Sequence, residues 1–348
     1  MALITDPAPQ DLTGVVRLTT ADYEEEEAER ANSLSAFLPN IQIQDTVARV
    51  SDLISSQADA AEVRSYDAEA PIGRAAELTR NIVFDLPAIA QKLRVSEEQQ
   101  LRARGATDAA LGDVITRYGA QVGKAIADRV ELFRGEALAT GKIHIAGENG
   151  VYADIDFGRD AAMAPTVGTS WEDADSTPLS DLIAWSEAYS DLNGAEPSQI
   201  VMSRTALLRL VKNKEVIAAA TTTTATGKAA LPRVTPQAVI DIFGEYGFTV
   251  GTYNRKVKVA GQSRRVIPED QVLILPGDNT LIGRTVFGTT VEAVEPYYGY
   301  NIAPEDAPGI VVGAFREEDP AGAWVRGNAI AAPVLVNANL SMSAKISK

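Results

Sequence analysis

The sequence predicts an α+β fold built around one long helix, and three observations carry that expectation. From about residue 107 to residue 140 no proline occurs, and Leu111, Val114, Ile115, Tyr118, Val122, Ile126, Val130, Phe133, Ala137 and Leu138 form one stripe at helical spacing. From Trp171 onward, helix-like and strand-like segments alternate, and beyond Leu281 the chain is rich in strand-forming runs. At ~1.5 Å per residue the helix is roughly 50 Å long, too long for one face of a compact domain of ordinary size. It reads as the spine of an extended, flat subunit.

Residues 1–48 read as an N-terminal arm. They hold Pro7, Pro9, four consecutive glutamates from Glu24 to Glu27 and the run LSAFLPN ending at Asn40, with few apolar positions for a core. Such a segment gains order by lying on something else. Residues 62–84 are a candidate hairpin, with strands at 63–67 and 75–84 around Ala70, Pro71, Ile72 and Gly73. A two-stranded hairpin is marginal in water, so this one also needs a neighbour. Ser96 is placed as a helix N-cap, with Gln99 at the capping-box position. The long helix stops at Gly141, suited to the left-handed position beyond a helix end, and Lys142 supplies a cation near the negative terminus.

Strands are expected next at 143–145 and 152–157, then a helix at 179–192 and a strand at 199–202. Ser203 caps one helix running to about Ala219, followed by a threonine-rich loop at 221–227. Thr235 opens another helix, with Pro236 in its first turn, running to about Tyr246. Strands follow at 249–253, 256–259 and 272–275, the rest is strand-rich over 281–293, 309–315 and 333–345, and no internal repeat is visible.

The 348 residues suffice for two or three units of ordinary domain size, and 45% apolar content allows a real core. No run approaches the ~18 consecutive apolar residues of a membrane helix. The first 20 residues lack a basic region and carry Asp6 and Asp11, unlike a signal peptide, so the chain reads as soluble and cytoplasmic. Cysteine is absent and His144 is the one histidine, which excludes disulfides, thiolate nucleophiles and Cys/His zinc sites within one chain. His144, flanked by Ile143 and Ile145, reads as a strand or turn residue.

A net charge of −15 opposes binding of nucleic acid by bulk electrostatics, yet suits a container wall that stands beside DNA without sticking to it. The charge is uneven. Residues 1–48 hold nine acids and two arginines, whereas residues 252–266 hold Arg255, Lys256, Lys258, Arg264 and Arg265 and no acid. Each stretch is either a solvated face or one half of a complementary pair on neighbouring subunits.

No catalytic constellation emerges. The run GEALATGK from Gly135 to Lys142 has one residue too many for a phosphate-binding loop and ends a helix where such a loop must begin one. Neither GxGxxG nor GxSxG occurs. Asp154 and Asp156 share one face of a strand, the placement of an acid/base pair or of metal ligands, but no further ligand stands at matching spacing. Asp173 and Asp175 lack the glycine and distal glutamate of a calcium loop. The expectation is no catalytic, cofactor or metal site, and an arm and a hairpin that bury their apolar surface on a partner.

An ordered series of segments then acquires meaning: Phe37, Leu38, Pro39 and Asn40; Tyr66; Ala70 to Gly73 (APIG); Phe84 to Ile89 (FDLPAI); Glu131 to Ile143 (ELFRGEALATGKI); and Ala332 to Asn337 (APVLVN). The series resembles the major capsid proteins of tailed phages, in particular the lambda-type major capsid protein E family, with Glu131 to Ile143 the most specific piece. The resemblance covers most of the chain, in pattern more than in residues from 173 to 266. It implies the Hong Kong 97-type fold, in which hexamers and pentamers close into an icosahedral shell around double-stranded DNA. Mapped here it gives an arm at 1–48, an extended loop with flanking strands at 49–94, a peripheral domain at 95–169 plus 310–348, and an axial domain at 170–309.

The candidate subunit-interface residues are Phe37 and Leu38 of the arm, Tyr66, Ile72, Arg74, Arg80 and Phe84 of the loop, and Arg255, Lys256 and Lys258 of the basic stretch. The partners implied are other copies of the chain, a portal, packaged DNA touched non-specifically and a possible cement or decoration protein, with no membrane. No long scaffolding segment precedes the arm, so the resemblance also implies a separate scaffolding protein. The implied location is the virion capsid, with assembly in the host cytoplasm. Some relatives cross-link an extended-loop lysine to an asparagine of another subunit; no lysine precedes Lys92 here, so a non-covalent shell is expected. Two other readings stand beside this one: an encapsulin-like compartment of the same fold, and an α/β enzyme using Asp154 and Asp156 or Ser203.

Overall fold

The structure is a computed structural model that describes residues 2–52, 80–104, 108–147, 152–223, 234–277 and 282–348. Its first elements are β1 (Ala2–Leu3), α1 (Pro9–Glu29), β2 (Asn40–Gln42), β3 (Val47–Asp52), β4 (Arg80–Asp85), β5 (Ala88–Val95) and α2 (Glu97–Arg104). The arm is therefore not coreless. Pro9 starts α1, and its buried stripe of Leu12, Thr13, Val16 and Thr20 lies on the chain's own spine helix and sheet. The Thr13 hydroxyl clips it down, bonding both the N–H and the C=O of Val312 at 3.0 Å. The expected boundary at residue 48 falls inside β3, which pairs antiparallel with β4 from Val47↔Asp85 to Asp52↔Arg80. The strand expected at 63–67 lies outside the described residues. Ser96 and Gln99 form the expected capping box, with reciprocal bonds of 3.3 and 3.0 Å at the start of α2.

The spine helix α3 spans Asp108–Thr140, 33 residues, as its apolar stripe predicts. Gly141, at φ +70°, ends it. The cation at its negative end is not Lys142, however. Lys142 lies in β6 (Lys142–Ala146) and pairs with Asp156 of β7 (Tyr152–Asp156) at 2.8 Å. Arg159 takes the place instead, donating to the carbonyl oxygens of Ala137, Leu138 and Ala139 at 3.2, 2.7 and 3.1 Å. Burial pushes that guanidinium down to about 10.

Next come α4 (Pro178–Asn193), β8 (Gln199–Met202), α5 (Arg204–Leu210), α6 (Lys214–Thr223), α7 (Pro236–Glu245), β9 (Thr249–Thr252), β10 (Lys256–Val259), β11 (Gln262–Arg265) and β12 (Gln271–Leu275). The single helix expected from Ser203 to Ala219 is two. The Asn213 side chain accepts from the N–H groups of Glu215 and Val216 at 2.9 and 3.2 Å, which caps a new helix and breaks the old one. The last elements are β13 (Gly283–Gly288), α8 (Val291–Val294), β14 (Val311–Glu317), β15 (Gly322–Leu335) and β16 (Met342–Lys345).

Two sheets organise the chain. In the larger, β15 pairs with β5 from Ala323 to Ile330 along one edge. Its other edge meets β14 up to Asn328 and then β13 from Ile330, so β14 and β13 lie end to end. β1 flanks β14, and β2 runs parallel to β13. The spine crosses this sheet, burying Ile115, Val122, Ile126 and Val130 against Val312, Ala323, Val325 and Ala329. The smaller sheet has the order β16-β12-β8-β9, with only β8 and β9 parallel. Helices α4 to α7 surround it, with Trp171 stacked on Trp185 at 5.7 Å.

Strand pairing crosses two of the expected boundaries. β13 lies within 170–309 yet belongs to the larger sheet, and β16 lies within 310–348 yet closes the smaller one. The strand-rich run at 281–293 holds β13 followed by α8, and the one at 333–345 holds the end of β15, a tight turn and β16. No helix among the described residues is long and apolar enough to cross a membrane.

Candidate assembly interface

The spine carries a buried charge cluster that the arm, the larger sheet and the β10–β11 hairpin all reach. Glu131 and Arg134 are one helical turn apart and almost wholly buried, joined at 2.9 Å. Glu131 also accepts from the Leu34 N–H at 2.7 Å and from the Tyr253 hydroxyl at 2.8 Å. Arg134 donates to Thr285 of β13 at 2.9 Å, to Asn40 of β2 at 2.5 Å and to Glu24 of α1 at 3.4 Å. Arg255 completes the cluster, donating to Asp128 at 2.7 Å and to Tyr23 at 3.2 Å, with Glu131 at 3.9 Å.

The electrostatics follow from burial and pairing. Burial pushes the Tyr253 phenol far above its ordinary value, and the Glu131 carboxylate beside it adds to the rise. Burial works against the Arg255 charge, but Glu131 and the bond to Asp128 outweigh it and raise that guanidinium. The cluster can hold three parts of one chain in register. Its bonds tie separate parts of the chain together, which is a structural role.

The interface candidates divide accordingly. Phe37 and Leu38 are not surface residues: both are buried in the core with Leu34, and the Leu38 carbonyl accepts from Thr285 at 2.8 Å. Arg255 is likewise internal, its side chain only 5% exposed because a cationic stretch has met acids of its own chain. Phe84 is half-buried, edge-on to Phe157 at 6.4 Å. Arg80 stands opposite Asp52 in the β3–β4 ladder, while Tyr66, Ile72 and Arg74 lie outside the described residues. Lys256 and Lys258 are exposed on β10, the placement an intersubunit contact requires.

The residues weighed for catalysis are engaged elsewhere. His144 Nδ1 lies 2.6 Å from Asp154 across the β6–β7 ladder, and Asp156 holds Lys142. The Ser203 hydroxyl caps α5, accepting from the Ala206 N–H at 3.0 Å. Sequence reasoning missed Tyr23, Glu131, Arg134, Tyr253 and Arg159. Glu131 and Arg134 were readable as a turn-spaced pair inside an otherwise apolar stripe, whereas the others depend on where distant segments meet.

A long helix laid on one sheet, a second α/β unit beside it and an arm clipped to the spine define a capsid-type subunit fold. Residues 34–346 match the model of the family described as phage major capsid protein E, and the chain belongs to that family. As a member it is a shell-forming protein of the virion capsid. Two solved structures share the fold. A protein assigned as a prophage capsid protein of Escherichia coli CFT073 is 15% identical, covers 100% of both chains and gives a TM-score of 0.62. A phage-related protein of Bordetella bronchiseptica RB50 is 14% identical, covers 99% of this chain and 98% of its own, and gives 0.53. No curated protein sequence matches the chain.

Proposed function

We propose that copies of this chain assemble into hexamers and pentamers of an icosahedral shell that encloses phage double-stranded DNA. The family match over residues 34–346 carries the reading. In that shell residues 1–48 serve as the arm, and residues 62–84, between the flanking strands of 49–94, serve as the extended loop across a neighbour. The larger sheet with its spine forms the peripheral domain. The smaller sheet with α4 to α7 forms the axial domain around the capsomer axis. Tyr66, Ile72, Arg74, Arg80 and Phe84 contribute to the loop contact.

The chain acts as a structural protein and not as an enzyme. A separate scaffolding protein guides assembly in the host cytoplasm, a portal occupies one vertex, and a cement or decoration protein reinforces the surface. The net charge of −15 supports non-specific, non-adhesive contact with the packaged DNA. Gel filtration with negative-stain microscopy of the purified chain tests the proposal. Capsomers, sheets or shells are expected; a stable monomer at every concentration and ionic strength would sink it.

A further inference from the structure

The two charged stretches of the sequence are only partly consumed inside the chain, and what is left of each carries the charge opposite to the other. Between β5, the spine and the β10–β11 hairpin runs a groove of about 540 Å³, with Ile89, Leu132, Val257 and Val259 among its lining residues and Lys256 and Lys258 along one side. Asp128 also lines it, but that carboxylate is held by Arg255 at 2.7 Å. Two arginines nearby are committed: Arg255 to Asp128 and Glu131, and Arg265 to Glu269. Arg129 lines it too, its guanidinium 6.0 Å from the Phe133 ring, so the cationic charge the groove offers lies on Lys256, Lys258 and Arg129.

The exposed face of α1 is the counterpart. Val15 and Leu18, 42% and 68% exposed, are followed by exposed Asp22, Glu25 and Glu29 at spacings of three, four, three and four residues, which places all five on one stripe. The opposite stripe of Leu12 and Val16 is buried on the chain's own spine, so this helix cannot turn its outer face inward. Glu25 and Glu29 stand about 6 Å apart along a helix, and Lys256 and Lys258 about 6.6 Å apart along a strand. The apolar half of the stripe matches the apolar wall of the groove, and the acidic half matches its lysines.

We propose that the outer face of α1 in one copy docks in the β5–α3–hairpin groove of a second copy, with Glu25 and Glu29 against Lys256 and Lys258. Helix and groove are different surfaces of the chain, so the contact is head-to-tail, the kind that closes rings. It rests on the shell reading above and names a contact within it. DNA fits the groove less well, because the Asp128 carboxylate lines it and its three cations are few on a chain of charge −15.

A charge exchange tests the pairing. The variant Lys256→Glu/Lys258→Glu and the variant Glu25→Lys/Glu29→Lys each place like charges at every such contact. Each alone is expected to need about tenfold more protein to form capsomers than the unaltered chain. Mixed in equal amounts, they are expected to co-assemble, because each then supplies the charge the other lacks. All four positions are exposed, so thermal melts of both variants should match the unaltered chain. If reversal impairs folding, Lys256→Gln/Lys258→Gln and Glu25→Gln/Glu29→Gln are used, and a smaller rise with each is expected. Assembly of every variant like the unaltered chain overturns the inference and leaves the shell reading intact. So does failure of the mixture to co-assemble, or a lysine variant that assembles normally and loses only DNA binding. An unaltered chain that never assembles overturns the shell reading, and the inference with it.

Discussion

At the scale of single residues, the decisive feature is a carboxylate and a guanidinium buried inside the spine. Removing one member of such a pair leaves the other uncompensated in low dielectric, which costs more than the pair contributes. Arg134→Met is therefore expected to destabilise the subunit by about 3–5 kcal/mol, at the lower end because Arg255 still lies 3.9 Å from Glu131. Tyr253→Phe removes one of the bonds to the same carboxylate and is expected to cost about 1 kcal/mol. Denaturant unfolding of the isolated subunit measures both, and equal losses would contradict the ranking.

The buried phenols set a pH limit. Tyr189, Tyr253 and Tyr300 are all raised, chiefly by burial, so the folded chain keeps their protons where an unfolded chain releases them. The stability this contributes is full below the unfolded phenol value of about 10 and is lost as pH climbs beyond it. Thermal midpoints should hold to about pH 9 and fall above 10. Tyrosinate absorbance from these three should rise together with loss of ellipticity; titration near pH 10 in a folded subunit would contradict the assignment.

At the scale of elements, the spine works through close approach as well as length. A Cβ on Gly135 would stand 2.4 Å from Val266 Cγ1 and 2.5 Å from the Val266 carbonyl oxygen. Alanine would gain about 1 kcal/mol in helix propensity, against an overpacking cost of about 1–3 kcal/mol. A backbone oxygen cannot rotate away, so overpacking wins, and Gly135→Ala should lower stability by about 1 kcal/mol or more. An unchanged denaturation midpoint would mean that the contact between Val266 and the spine yields.

At the scale of the whole molecule, the question is what joins subunits in the shell. Residues 1–91 contain no lysine, so neither the proposed arm at 1–48 nor the proposed loop at 62–84 offers a side-chain amine for an isopeptide bond. Mature particles boiled in detergent should run as single chains on a denaturing gel, and a covalent ladder would refute a non-covalent shell. Self-association then depends on packing and charge, and assembly should weaken as salt screens the exposed pairs.

The sequence by itself determined the spine, its glycine stop, the capping box at Ser96 and the strand at 199–202, because each follows from local periodicity or local hydrogen bonding. The family was legible for the same reason, in short ordered motifs. The helix of the arm was obscured by its acidic outer face, although Pro9, Leu12 and Val16 marked it. The long strand β15 was obscured by Gly322, Gly327 and Pro333, poor strand formers: Gly327 is held by strands on both edges and the spine across it, whereas Gly322 and Pro333 lie beyond β5 and pair on one edge only. Only the tertiary structure decided which charges face solvent. Phe37, Leu38 and Arg255 read as surface residues until segments more than a hundred positions away closed over them. Burial is a property of what packs on a residue, and that information lies in long-range contacts that no local pattern encodes.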